Sequence, residues 1–546
     1  MALSYTWGSR IQDDSIIVND EPVAITRNLG NGLRRLQTYL IQKNLLLWAD
    51  SISINQSDLS ERNHQVKFMN AIYRCAECVG VWLGEASGYS DLAMERLEAW
   101  SDEYNRLKYS EACAGDYDLA TLSMLPCQEI LFGSEQPTQS LVWHAMRGLL
   151  DRDWWLRAWI VQEATVLAPC RTFFFCGNHC VDWERMRTMI RLLNLVGYYG
   201  DEQHTSTTTF DQSMASRLDE FRIQREEGAY MRLLSVLGTI RSFECEDPRD
   251  KVYASLGMAA DVSESDILPD YAKSVEEVYT DVVRFVLSSQ GSHCLDFLGL
   301  VIRPSSLPCP TPGDLPAWLP DWRIRGSPFA LEKYIDPEGF DSEDAYNASR
   351  DVKSPATIVG KRLLCRGFEL DTIVRVWPPC WDNLAESGLE IERSWRPDEG
   401  DRPYTCKESL LQAFNRTLLA DIGRKCIHSH QLQRNCAVEW SLIDSAPSEL
   451  TLVDQKRRMR MLIDVKHTTF GRRLFQTDGG LIGLGAADTT VGDRVCVLFG
   501  GQVLYLLRPK SSDVEHEFIG ECYVHGMMDG EAVTDERLPG REFIIV

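Results

Sequence analysis

Residues 65–84 read QVKFMNAIYRCAECVGVWLG, and this stretch decides the fold. Its first half sets Val66, Met69, Ile72 and Tyr73 on one helical face, and its second half, CVGVWLG, is an apolar run of strand length. A helix that feeds a buried strand is the repeating unit of a parallel sheet. Working outward, the same alternation recurs. ALSYTW opens the chain as a strand, SIIVND is a second short one, and residues 28–44 carry Leu29, Leu33, Leu36 and Leu40 at helical spacing, with Asn28 placed to cap the helix. LLLWADSI reads as another buried strand. Beyond residue 84 come a partly helical insertion at about 90–150, a helix containing RAWIVQEATVL, and a strand, RTFFFCG. Residues 1–182 are therefore expected to form an α/β domain, a parallel sheet with helices on both faces.

The rest of the chain changes character. Residues 183–350 read as mainly helical (WERMRTMIRLLNLVGYY, MRLLSVLGTIRSF, SVEEVYTDVVRFVLSS) and close on a proline-rich connector, RPSSLPCPTPGDLPAWLPDW. Residues 351–546 mix short strands with helical stretches near 405–420 and 447–465. They end in glycine-punctuated apolar runs, GGLIGLG, DRVCVLFG, QVLYLLRP and EFIGECYVHG, the pattern of a bent β-barrel or sandwich. Three modules suit 546 residues.

Composition narrows the function classes. With 57 Lys+Arg against 80 Asp+Glu the net charge is −23, a field that repels phosphate backbones and argues against nucleic acid as a general partner. No run approaches the length needed to span a bilayer, and the first residues lack a signal peptide's apolar core, so a soluble, cytoplasmic protein is expected. Seventeen cysteines, an odd number at irregular spacing, suit reduced thiols better than a disulfide framework. Two clusters, Cys170/Cys176/His179/Cys180 and Cys426/His428/His430/Cys436, lack the paired spacing of a structural zinc site, and no metal is expected. Phosphate-loop, GxSxG and HExxH signatures are missing from the sequence.

Several strings together resemble the fungal heterokaryon-incompatibility (HET) family: Ser4-Tyr5-Thr6-Trp7-Gly8, LWADSISINQSDLSERNHQV with the AIYRCAECVGVWLG that follows, and RAWIVQEATVLA. DPRDKVYASLGM, LPDYAKSVEEVY, LPAWLPDW and GLIGLG…GECYVHGMMDGEA continue the resemblance beyond residue 182. It implies a TIR-like, flavodoxin-like sheet and a role in self/non-self recognition, with growth arrest or cell death as the output. Other incompatibility proteins or a second copy of the chain would be its partners. Many TIR domains cleave NAD at the nicotinamide–ribose bond with a glutamate in a Trp-x-x-x-Glu helix. Trp159 and Glu163 have that spacing, which puts indole and carboxylate on one helical face. The resemblance thus implies Glu163 as the catalytic carboxylate, stabilising the cationic ribose that forms as the bond breaks. Tyr5, Trp7, Asp50, Asn55, Gln56 and Trp159 would line the NAD site, with NAD as substrate and no permanently bound cofactor. The residues also admit plainer roles. Glu163 is equally suited to pairing with Arg152 or Arg157, the tryptophans to the core, and Asn55 and Gln56 to closing a tight loop. Asp247-Pro248-Arg249-Asp250 reads as a helix start. A non-enzymatic signalling module that acts by oligomerising is the alternative.

Overall fold

The computed structural model describes the chain except residues 9–10, 98–139, 168–169, 200–213, 289–293, 304–314, 326–330, 332–345, 351, 381–387, 399–401, 405–407, 425–431, 435–439, 446–448, 511–513, 535 and 538–539. Most of the 90–150 insertion, the connector's residues 304–314 and the Cys426/His428/His430/Cys436 cluster thus lie outside the described residues. The chain divides into two compact units, Met1–Lys273 and Ser274–Val546.

The first unit is built on a four-stranded sheet. Strands β1 (Ala2–Tyr5), β4 (Cys78–Trp82) and β5 (Arg171–Cys176) run parallel, and β6 (His179–Asp182) turns back antiparallel on β5. A separate hairpin joins β2 (Asp14–Val18) to β3 (Glu21–Ile25). The pleat sorts side chains by parity. Ala2, Val79, Val81, Phe174 and Cys176 face one core, shared with α3 (Leu59–Cys75), α4 (Leu141–Leu150), α5 (Ile160–Ala164), α6 (Trp183–Tyr199), α7 (Met214–Glu226) and α8 (Leu233–Ile240). Met1, Leu3, Tyr5, Cys78, Trp82 and Phe175 face a second core, with α1 (Arg27–Lys43) and the hairpin. Helices thus cover both faces of the sheet. Each fully buried Val or Phe contributes roughly 1.5–3 kcal/mol to holding these layers together.

Three local expectations change. LLLWADSI is not a strand. It touches β1 at a single bridge, Ala2 to Trp48, through Leu3 N to Trp48 O and Trp48 N to Met1 O, both 2.9 Å. The backbone then coils at once into the short helix α2 (Asp50–Ser53), which ends the pairing. The cap of α1 is Thr26, not Asn28. Asn28 instead donates to Thr6 O (2.6 Å) and accepts from Trp82 Nε1 (3.0 Å), fastening the loop after β1 to β4. Finally, the RAWIVQEATVL helix is only five residues long.

The second unit contains α10 (Val275–Ser288) and a β-barrel. In the barrel, β7 (Thr357–Val359) pairs with the long β8 (Arg362–Val376). From β8 the sheet passes through β13 (Arg494–Leu498), β14 (Leu504–Pro509), β15 (Glu515–Val524), β12 (Ile482–Ala486) and β11 (Arg472–Thr477), and β11 returns to β8. Strand β16 (Arg541–Ile545) bridges β8 and β15 beside that ring. Closure leaves no unpaired sheet edge around the ring. A small hairpin, β9 (Ile422–Arg424) and β10 (Leu432–Arg434), stands apart from it. Among the described residues no helix is long and apolar enough to cross a membrane.

Candidate functional site

The carboxyl end of β1 carries the site. Tyr5 is buried in the second core, and its hydroxyl donates to Ser51 Oγ (2.6 Å). Trp7 donates from its indole to Asp50 Oδ2 (3.1 Å), Ser51 N donates to Asp50 Oδ1 (2.7 Å), and Gln56 Nε2 donates to Asp50 O (3.3 Å). Tyr5, Trp7, Asp50 and Gln56 therefore meet around α2, in the loops that follow β1 and Trp48, where α/β folds bind their ligands. Burial, then the Asp50 charge, pushes the Tyr5 phenol well above its usual range. Asn55 stands aside. Its side chain accepts from Ser57 N (3.1 Å) and its backbone N–H donates to Glu61 Oε1 (2.9 Å), so its bonds close the turn into α3.

Glu163 lies against the opposite face of the sheet. Strand parity turns Ser4, not Tyr5, toward it, and Ser4 Oγ donates to Glu163 Oε2 while accepting from Trp154 Nε1 (2.8 Å). Arg157 grips the carboxylate with both ends of its guanidinium, Nη1 to Oε2 at 3.1 Å and Nη2 to Oε1 at 3.2 Å. The carboxylate is 1% exposed. Burial raises its proton affinity, opposed by the Arg157 charge and the Ser4 bond. Burial works against the charge on Arg157, but Glu163 and Asp50 together raise its pKa. Asp50 is thus felt electrostatically at Glu163, which links the two halves of the site. In this arrangement both carboxylate oxygens are committed, and neither is open to a ribose hydroxyl or a developing cation.

Trp159 also points elsewhere. It packs against the first core and lies beside the Asp250 carboxylate, whose pKa it helps to lower. Asp250 accepts a hydrogen bond from Tyr271 Oη. The sequence reading missed Ser4, Ser51 and Trp154 as members of the site. Alternation along SYTWG could have signalled Ser4, since period 2 separates it from Tyr5. Ser51 and Trp154 carry no comparable signal. Cys170 and Cys176 are buried thiols, and among the described residues no three His, Cys, Asp or Glu side chains gather as a metal would require.

Comparison with known proteins agrees with this organisation. Residues 1–163 match the family described as Heterokaryon incompatibility protein (HET), and residues 455–546 match the Het-6 beta-barrel domain. The chain is 24% identical over 635 residues to Heterokaryon incompatibility protein 6, OR allele, of Neurospora crassa, covering 98% of this chain and 90% of that protein. No solved structure matches. The HET match ends at Glu163, and the barrel match takes in β11 to β16 but leaves out β8, which the ring needs to close. The chain thus carries a region that matches the heterokaryon-incompatibility (HET) family and a second that matches the Het-6 beta-barrel domain.

Proposed function

We propose that this protein acts in heterokaryon incompatibility, as an effector that arrests growth or kills the cell when it meets a mismatched partner. Its working group is Glu163, held closed in the resting fold and released on assembly to cleave NAD in the manner of TIR domains. The observation behind this reading is the buried Ser4–Glu163–Arg157 network at the carboxyl side of a parallel sheet, with Asp50, Trp7 and Tyr5 beside it. A buried ion pair is seldom a better stabiliser than apolar residues of the same volume, and perturbed carboxylates concentrate at functional sites. Opening requires Arg157 to let go. The freed carboxylate would then face the ribose, and Arg157 would remain near the leaving group.

A second reading is a non-enzymatic module that signals by oligomerising. It is favoured by the same geometry taken at face value, because Glu163 has both oxygens engaged and is 1% exposed. One experiment separates the two. Clustered, purified full chain is assayed for nicotinamide release from NAD, and Glu163→Gln is compared with wild type both there and in a growth-arrest assay in cells. The enzymatic reading expects Glu163→Gln to abolish release and arrest together. A folded Glu163→Gln chain that still arrests growth, with no release by wild type, leaves the signalling module standing instead.

A further inference from the structure

The family match ends at Glu163, yet the short helix that carries this residue is held in part by chain some eighty to a hundred positions downstream. Helix α5 is one turn long, too short to stand on its own hydrogen bonds. Beside the bond from Arg222 Nη1 on α7 to Ala164 O (2.9 Å), two sets of hydrogen bonds fix it from that downstream segment. Ala158 N donates to Glu244 O (2.7 Å) and Glu244 N donates to Leu156 O, a short parallel bridge between Arg157 and Glu244. Gln162 is buried and donates through Nε2 to Tyr253 O (3.1 Å) and Ala254 O (2.9 Å), both on α9 (Asp250–Leu256). The downstream segment is itself tied down. Tyr271 Oη donates to Asp250 Oδ1, Arg249 Nη1 donates to Tyr271 O (2.7 Å) and Lys273 O (2.6 Å), and Asn70 Nδ2 on α3 donates to Gly257 O (2.9 Å).

From this geometry we infer that the segment from Glu244 to Tyr271 belongs to the Glu163 site as a positioning element, acting through Ala158 and Gln162 to set Arg157 against Glu163. None of these residues touches a substrate; they act through α5. The backbone bridge at Arg157 and the side-chain bonds at Gln162 bracket the six-residue span from Arg157 to Gln162, so the downstream segment holds both of its ends. Loosening any one anchor frees the Arg157 end before it disturbs the strands, because β1, β4 and β5 keep their own ladder. DPRDKVYASLGM, whose first four residues read as a helix start and which carries part of the family resemblance, is in this view the back wall of the site.

The inference rests on Glu163 being the group of interest in the HET domain, but its test needs neither NAD nor cells. The full chain is treated with phenylglyoxal, and modification of individual arginines is followed by peptide mass spectrometry. Gln162→Met is close in shape and removes both bonds to α9. Gln162→Leu also removes both bonds and serves the same purpose should the first variant fail to fold. Labelling of Arg157 is expected to rise roughly fivefold in each folded variant, the equivalent of about one lost hydrogen bond. Labelling of Arg152, which donates to Leu83 O and Glu85 O on the β4 side, stays at the wild-type rate. Unchanged Arg157 labelling, or equal rises at Arg157 and Arg152, overturns the inference. Selective Arg157 labelling together with a fully active Glu163→Gln chain keeps the positioning role and removes the enzymatic reading alone.

Discussion

Asp250 is 8% exposed and sits among Tyr271, Trp159, Asp247 and Arg62. Burial is the largest influence on it and, against the bonds from Tyr271 and Trp159, moves its pKa from 3.8 up to about 6. Because the folded value lies above the unfolded one, the folded chain holds more protons between these two values. The stability tied to this group is then fully present below about pH 4, is lost as the pH rises to about 6, and changes no further above that. The full span is worth roughly 3 kcal/mol. Asp250→Asn removes the titration. In urea unfolding followed from pH 4 to 7, the stability of wild type relative to Asp250→Asn is expected to fall with rising pH and to level off above pH 6. A constant difference across that range would mean that Asp250 does not titrate in the fold. The Glu163 carboxyl has its proton affinity raised for the same reason, burial, but there a guanidinium answers the charge. Asp250 has only neutral donors in direct contact, and that difference makes it the group whose removal reads cleanly.

At the scale of elements, the junction of α3, α5 and α9 is packed without slack. A Cβ at Gly257 would stand 2.7 Å from Asn70 Cβ and 2.9 Å from Gln162 Cδ, and both side chains are held by hydrogen bonds to this same segment. Gly257→Ala is therefore expected to lower stability by about 1–3 kcal/mol through overpacking, read from the urea midpoint, although its backbone would accept alanine. A neutral outcome would show that Asn70 and Gln162 move aside, and with them the anchor of α5. The same elements show how far the sequence could be read. CVGVWLG and RTFFFCG were legible as strands because a central parallel strand is buried on both faces and each carries an apolar run, VGVWL and FFFC. LLLWADSI has the same composition, but Leu46 is 91% exposed and the stretch meets β1 at one bridge. Composition cannot tell a strand from a segment that passes beside one. The Trp159–Glu163 spacing was legible too, and the backbone bond from Glu163 N to Trp159 O (3.1 Å) keeps the helical step. Where each side chain goes was not, since Ser4 and Asp250 reach these two residues from positions 159 and 91 residues away. Long-range partners leave no mark in local periodicity.

Over the whole molecule the governing quantity is the excess of 23 negative charges. Two opposed effects of salt follow. Exposed pairs such as Arg34–Asp14, with the arginine side chain 61% exposed, contribute little and weaken when screened. Buried pairs are screened far less, among them Arg187–Asp219 at 2.7 Å and Arg472–Glu521 at 2.8 Å, one in each unit. Against the loss at the surface stands relief of self-repulsion, which acts on every uncompensated carboxylate at once. Between about 10 mM and 150 mM salt the screening length shrinks from roughly 30 Å to about 8 Å, from the size of a domain to the size of a contact. The repulsion spread over each unit is then cut off, while contacts at 3 Å or less keep most of their attraction. Thermal midpoints are therefore expected to rise over this range, by on the order of 2 °C. Scanning calorimetry in sodium chloride at fixed pH measures it. A midpoint that falls instead would put the balance of charge in the surface pairs, and the net charge would then say nothing about how firmly these two units are held.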